Sequence, residues 1–285
     1  MIKKFLAILL FFVTVSCNNK VTTYSNLASE NSINEISVIL KKELNEESVD
    51  KFIKHLREYN KIVASAGLVS DFVEFKTPSY DIDKINSLWT SKKGDFIGTN
   101  CRINSYMLLK NDITIPNLKT DDTFLFLDKH AIDKGNLFND KDIEKFQILY
   151  SGVKTTATTD VKIHAKKMQE YFSQIKFNDK VRMISVVLHD NVDGDYLFVG
   201  HVGVMIPYDK GYLFIEKLSF EEPYQAIKFS TKEKLYKYLL DKYVHYTGED
   251  LAVPFIMDNE KWVDKSIKWY IKKIKKAFNI IDIKV

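Results

Sequence analysis

Three residues far apart in the chain have the types needed for nucleophilic catalysis: Cys101, His201 and Glu216. Cys101 follows Gly98-Thr99-Asn100 and opens a stretch with helical spacing. Its sulfur is therefore expected at the positive end of a helix dipole, where free backbone N–H groups favour thiolate over thiol. The same N–H groups are suited to holding a developing oxyanion. A thiolate nucleophile requires a base, normally His. Of six histidines, His201 alone lies inside a long apolar strand pattern, with Gly200 beside it and Gly203 just beyond, the setting of a close approach by other groups. Glu216 is a lone charge in the next apolar run. A hairpin turning at Asp209-Lys210 pairs Tyr208 with Gly211, Met205 with Phe214 and Gly203 with Glu216, making His201 and Glu216 diagonal neighbours on one face. A carboxylate there fixes the imidazole tautomer and stabilises imidazolium. A one-residue longer loop would separate them. The structural alternatives are a small buried core thiol and a hydrogen-bonded core histidine.

The other candidates are weaker. His55, His164 and His245 read as surface residues on helices, His130 lies in a segment that reads equally as loop, and His189 ends a strand beside Asp190. Glu221 and Glu222 fall in a turn containing Pro223. Asp193-Gly194-Asp195 has a calcium-like look but no surrounding EF-hand loop, and reads as a hairpin turn. No Cys/His cluster has zinc spacing and no glycine loop suits phosphate, so no metal and no cofactor is expected. Tyr224, Trp262, Trp269 and Asp258-Asn259 either line a groove or pack in the core.

The elements that must position these residues follow from periodicity. Residues 33–65, 81–89, 102–110, 140–150 and 160–174 read as helices. Residues 181–189, 196–207 and 212–219 read as a β-meander broken by two turn sequences. A helix at 231–243, a short strand at 253–257 and a basic amphipathic helix at 265–278 complete the pattern. Its lysines at 265–276 suit either an anionic surface or plain solvent. Helices followed by strands predict a single α+β domain over 32–285, with a helical part at 32–178 and an antiparallel sheet part at 179–285.

The N-terminus sets the compartment. Lys3 and Lys4 precede an apolar run from Phe5 to Val15, and Ser16-Cys17 is followed by polar residues. This is a secretory signal at 1–16, too short to span a bilayer as a mature helix. With Cys17 at the cut it is read as a lipoprotein signal, anchoring the chain on the outer face of the cell membrane through lipid on Cys17. The polar residues 17–31 are expected to be a flexible tether. The sequence contains two cysteines. If Cys17 carries lipid, Cys101 has no disulfide partner, and a leftover thiol in an exported protein is a reactive-site candidate. With 45% hydrophobic residues, 19 Phe and 15 Tyr the chain has ample material for a core. A net charge of +4, two of them lysines of the signal, gives no footprint for nucleic acid. A monomer is expected.

The order of Cys opening a helix, His in one antiparallel strand and a polar residue in the next resembles papain-like thiol enzymes. Gly200-His201-Val202-Gly203-Val204 is similar to the His strand of NlpC/P60 cell-wall peptidases and their lipid-directed relatives. That resemblance implies a papain-like core, with Cys101 as nucleophile, His201 as base and Glu216 as orienting residue. The NlpC/P60 group usually has Asp-Cys-Ser-Gly at the nucleophile, where this chain has Asn100-Cys101-Arg102-Ile103. Papain has an oxyanion Gln upstream; here Asn100 and Thr99 are the candidates for that place. Thr99-Asn100-Cys101-Arg102 together with the signal resembles a family of uncharacterised bacterial lipoproteins, the domain of unknown function 4300. The expectation is a surface cysteine peptidase or amidase, hydrolase or transferase, acting on an amide, with peptidoglycan peptides as one substrate. The alternative is a non-catalytic lipoprotein that binds a wall component or protein partner.

Overall fold

The computed structural model describes residues 21–209 and 211–264. Their elements in chain order are β1 (Thr23–Ser25), α1 (Glu30–Glu43), α2 (Glu46–Ile62), β2 (Val73–Glu74), α3 (Ile82–Lys93), α4 (Cys101–Leu109), α5 (Phe126–Gly135), α6 (Asp140–Leu149), β3 (Val153–Lys154), α7 (Val161–Phe172), β4 (Arg182–Asp190), β5 (Tyr196–Tyr208), β6 (Gly211–Lys217), β7 (Tyr224–Phe229), α8 (Lys232–Tyr243), β8 (Phe255–Asp258) and β9 (Lys261–Trp262). This is the expected α+β class: eight α-helices and one open antiparallel sheet among the described residues. The strand order is β2-β1-β7-β6-β5-β4-β8-β9, with β3 pairing β5 off that path.

Helices cover both faces of the sheet. On one face Val202, Val204, Ile206, Leu213 and Ile215 pack with residues of α1 to α7. On the other, Ile184, Val186, Met205, Phe214 and Ile227 pack beneath Leu235, Leu239, Leu240 and Tyr243 of α8. Two covered faces explain why the central strands are almost continuously apolar, since neither side alternates with solvent.

The differences from the sequence expectation have local causes. The helix predicted over 33–65 is two helices: Leu44 and Asn45 leave helical geometry, and the Asn45 side chain caps α2 by accepting from Ser48 N–H at 3.1 Å. Strand β7 follows Pro223 and joins the sheet between β1 and β6, where only a turn was read. The tether expected at 17–31 overlaps the folded body. Thr23–Ser25 forms β1 between β2 and β7, Leu27 is fully buried, and Glu30 already begins α1. The helical and sheet parts likewise interleave, because β1, β2 and β3 precede residue 179. His130 lies exposed on α5, not in a loop. His164 is fully buried rather than on the surface, with its ring nitrogens 2.7 Å from the Thr155 hydroxyl and from the Thr158 carbonyl. The signal at 1–16, Cys17 and the basic helix at 265–278 lie outside the described residues.

Candidate functional site

The register of β5 and β6 is the one expected from Tyr208↔Gly211 to Val204↔Ile215, but the expected pairing of Gly203 with Glu216 is not made. Tyr208 pairs with Gly211 and Met205 with Phe214, which places His201 and Glu216 on the same face as Met205 and Phe214. Two glycines of β5 admit close packing by neighbouring side chains. Gly200 is the extra residue of a bulge, since β4 pairs Val187 with Val199 and Val186 with His201. A Cβ at Gly200 would stand 2.3 Å from the Leu188 side chain, and one at Gly203 would stand 2.3 Å from the Phe214 ring and 2.7 Å from the Ile215 carbonyl oxygen. His201 Nε2 and Glu216 Oε2 are 2.6 Å apart, both residues buried.

The β5–β6 ladder ends at Val204↔Ile215, although both strands continue. The first turns of α4 occupy the edge of β5 beyond that point. Arg102 donates through Nη1 to the Val199 carbonyl (2.9 Å) and Ser105 through Oγ to the Val202 carbonyl (3.4 Å). Backbone acceptors that β6 no longer satisfies are thus satisfied by the helix, and this fixes its N-terminus against His201. Asn100 is the N-cap: its Oδ1 accepts from Ile103 N–H at 3.0 Å and its Nδ2 donates to Asp128 Oδ1 at 2.8 Å. The fully buried Asp128 also receives Arg102, with Nη2 2.5 Å from Oδ2 and Nε 3.0 Å from Oδ1. Thr99 Oγ1 accepts from Asn104 Nδ2 (2.9 Å) and lies 3.2 Å from the Tyr224 hydroxyl. The side chains of Asn100 and Thr99 are therefore both engaged in building the loop and helix start.

Cys101, the first residue of α4, is a free, buried thiol. The His201 imidazole acts on it electrostatically at short range. With Nε2 engaged by Glu216, Nδ1 is the ring nitrogen left for the sulfur. Burial alone would raise the thiol, but the His201 imidazole and the Arg102 guanidinium carry it below its ordinary value. Burial alone would lower His201; Cys101 and Glu216 together raise it. Glu216 is held below the usual carboxylate range against its burial, by the charge of Lys242 and by hydrogen bonds from His201 and Tyr238. All three shifts favour the charged forms, thiolate, imidazolium and carboxylate.

Further residues surround the three. Glu216 Oε1 accepts from the Tyr238 hydroxyl at 2.6 Å and from Gln225 Nε2 at 3.2 Å. Tyr243 of α8 stacks on His201 with ring centroids 5.1 Å apart. The buried Lys217, pushed down to about 7 by burial, donates to the carbonyls of Ser219, Phe220 and Glu222 and lies over the Tyr59 ring. A Tyr in an amphipathic helix and a Gln in a strand carry no chemical signature of their own. Only the fold brings β7 and α8 to Glu216.

The family model for a domain of unknown function (DUF4300) matches residues 23–263. The chain belongs to that family. The span of the DUF4300 match takes in Cys101, His201 and Glu216, and it begins at β1, inside the stretch expected to be a tether. No curated protein and no solved structure matches this DUF4300 chain. Among its described residues no group of His, Cys, Asp and Glu is arranged to hold a metal ion.

Proposed function

We propose that this DUF4300 protein is a cysteine hydrolase or acyltransferase acting on an amide bond, with a papain-like arrangement of Cys101, His201 and Glu216. The observation that carries the reading is the buried 2.6 Å contact of His201 with Glu216, combined with the free thiol of Cys101 at a helix N-terminus, held low by the same imidazole. A buried ion-paired histidine facing an unpaired thiol is costly unless the charges are used or compensated, which favours function over packing.

In this reading the Cys101 thiolate attacks the amide carbonyl and an S–C bond forms. The backbone N–H groups of Cys101 and Arg102, ahead of the first intrahelical bond, hold the oxyanion. Asn100 and Thr99 support that geometry through the helix start rather than by direct donation. The C–N bond breaks, and His201 gives its proton to the leaving amine. Water then attacks the thioester while His201 takes its proton, the C–S bond breaks, and a carboxylic acid leaves with the Cys101 thiolate and His201 imidazolium restored. An amine in place of water gives transfer. The NlpC/P60 resemblance makes cell-wall peptides one substrate of this class.

The residues ahead of the fold support a second part of the proposal, export and anchoring through lipid on Cys17 on the outer face of the cell membrane. No described helix is long and apolar enough to cross a membrane.

Alkylation tests the reading. Iodoacetamide at mildly acidic pH should modify Cys101 in the folded protein, and His201→Ala should reduce that rate at least about tenfold. A Cys101 that reacts only after unfolding, or equally fast in both proteins, would overturn it.

A further inference from the structure

Asn104 stands in the first turn of α4, just after Cys101, and is buried. Its amide makes three hydrogen bonds. Nδ2 donates to the Asn100 carbonyl at 2.8 Å and to Thr99 Oγ1 at 2.9 Å, and Oδ1 accepts from the Tyr224 hydroxyl at 3.1 Å. A carbonyl only accepts, so the Asn100 contact fixes which way the amide points. The single hydroxyl proton of Tyr224 goes to Asn104 Oδ1, and across the 3.2 Å between Thr99 Oγ1 and Tyr224 the threonine is therefore the donor. The three side chains form a closed cycle in which each both gives and receives. Lys217 holds the phenol from below, with its ammonium 5.4 Å from the centre of the Tyr224 ring and 4.1 Å from that of Tyr59.

The Asn100 carbonyl also accepts the Asn104 backbone N–H at 3.1 Å, the first intrahelical bond of α4, so it carries two donors from one residue. That carbonyl and the Cys101 N–H belong to one planar trans peptide, in which they point in opposite directions. Holding the carbonyl along the helix aims the Cys101 N–H back out of the helix start. Two donors on a carbonyl also polarise its peptide, which makes the N–H of that peptide a stronger donor. The helix does not need this second bond to begin, because Asn100 Oδ1 already caps it at Ile103 N–H. An Asn inside a helix is otherwise disfavoured, since its side chain competes for backbone groups.

We propose that Asn104 is a positioning residue of this site. With Thr99 and Tyr224 it holds and polarises the Asn100–Cys101 peptide, whose N–H stabilises the oxyanion formed when Cys101 attacks a carbonyl. This role rests on Cys101 being the nucleophile. Asn104 serves the oxyanion alone, while the thiolate is left to His201 and Glu216.

Two reactions of the full chain separate these duties. Alkylation by iodoacetamide forms an S–C bond as iodide leaves and passes through no oxyanion. Acylation by p-nitrophenyl acetate forms an S–C bond through a tetrahedral oxyanion, and the ester C–O bond breaks as p-nitrophenolate leaves. The second rate is read as p-nitrophenolate release above that of Cys101→Ala. Asn104→Ala should slow acylation at least about tenfold and alkylation at the same pH by less than about twofold. Asn104→Ser, whose hydroxyl reaches back to the same carbonyl, should recover part of the acylation rate. Tyr224→Phe keeps the ring but breaks the cycle; it should also lower acylation selectively, and it decides the matter if Asn104→Ala does not fold. Parallel slowing of both reactions, or loss of folding in both variants, would mean that Asn104 only builds the helix, and would overturn the inference. An unsubstituted protein that is alkylated while folded, yet acylates no faster than a small thiol of the same pKa, would also overturn it and leave the thiol reading intact. A folded protein whose Cys101 resists iodoacetamide would sink the thiol reading itself, and this role with it.

Discussion

Glu216 is where the energetics of the site concentrate. A fully buried carboxylate is costly unless hydrogen bonds and opposite charge compensate it, and here His201, Tyr238, Gln225 and Lys242 all act on it. Removing the Tyr238 hydroxyl by Tyr238→Phe takes away one of the bonds that lower the carboxylate. Its pKa should rise, His201 should fall and Cys101 should rise in turn. The pH at half-maximal alkylation of Cys101 should move upward by about one unit, and an unchanged profile would show that Tyr238 only packs. The linkage has the same sign. A carboxylate depressed in the folded state contributes stability that is present above its unfolded value and lost as pH falls through its folded value. Acid unfolding of Tyr238→Phe should therefore begin at higher pH, as circular dichroism during acid titration would read. The closeness of His201 and Glu216 was legible in the sequence because a lone His or Glu inside an apolar strand violates the pattern around it. Tyr238 violates nothing, since an amphipathic helix accepts Tyr on either face, and so its place beside Glu216 was invisible.

At the scale of elements, the site depends on β5 changing company along its length. From Tyr208 to Val204 it pairs with β6; further back its carbonyls at Val202 and Val199 turn to α4. The hairpin register could be read from the turn sequence and the alternation, because a slip by one residue would put Phe214 and Glu216 on the wrong face. The bulge at Gly200 and the parting of the strands could not, since both arise from the arrival of α4 from a distant part of the chain. Gly203→Ala tests this junction. Its Cβ meets the Phe214 ring and the Ile215 backbone, and only the ring has freedom to move. We expect a loss of about 1–3 kcal/mol in urea unfolding together with slower Cys101 alkylation, because forcing the strands apart displaces His201 from the helix terminus. A Gly203→Ala protein with unchanged stability and reactivity would mean that the strands part there without steric demand from the glycine.

For the whole molecule, the decisive strand is the one that composition disguised. Thr23-Tyr24-Ser25-Asn26-Leu27 looks like part of a Ser- and Asn-rich spacer, yet it joins β2 to β7 at one end of the sheet. Its polar residues are buried with partners. Ser25 Oγ donates to the Ser70 carbonyl at 2.9 Å, and Asn26 Nδ2 donates to the Tyr80 hydroxyl and the Tyr224 carbonyl. Asn60 Nδ2 closes over the backbone carbonyls of Asn26 and Leu27. Hydrogen bonds supplied by residues far along the chain make such burial tolerable, and composition carries no trace of them. Burying Tyr24 and Leu27 contributes roughly 2–3 kcal/mol each, a large part of the ~5–15 kcal/mol by which domains of this kind are stable. Removing the strand also uncovers the β7 edge and leaves the Tyr224 carbonyl and Tyr80 without Asn26. A chain beginning at Val21 should therefore unfold cooperatively in urea, whereas one beginning at Ser32 should show no cooperative transition and should lose selective alkylation of Cys101. If the shorter chain melted like the longer one, the tether would extend to residue 31 after all, and this end of the sheet would have to be held by β7 alone.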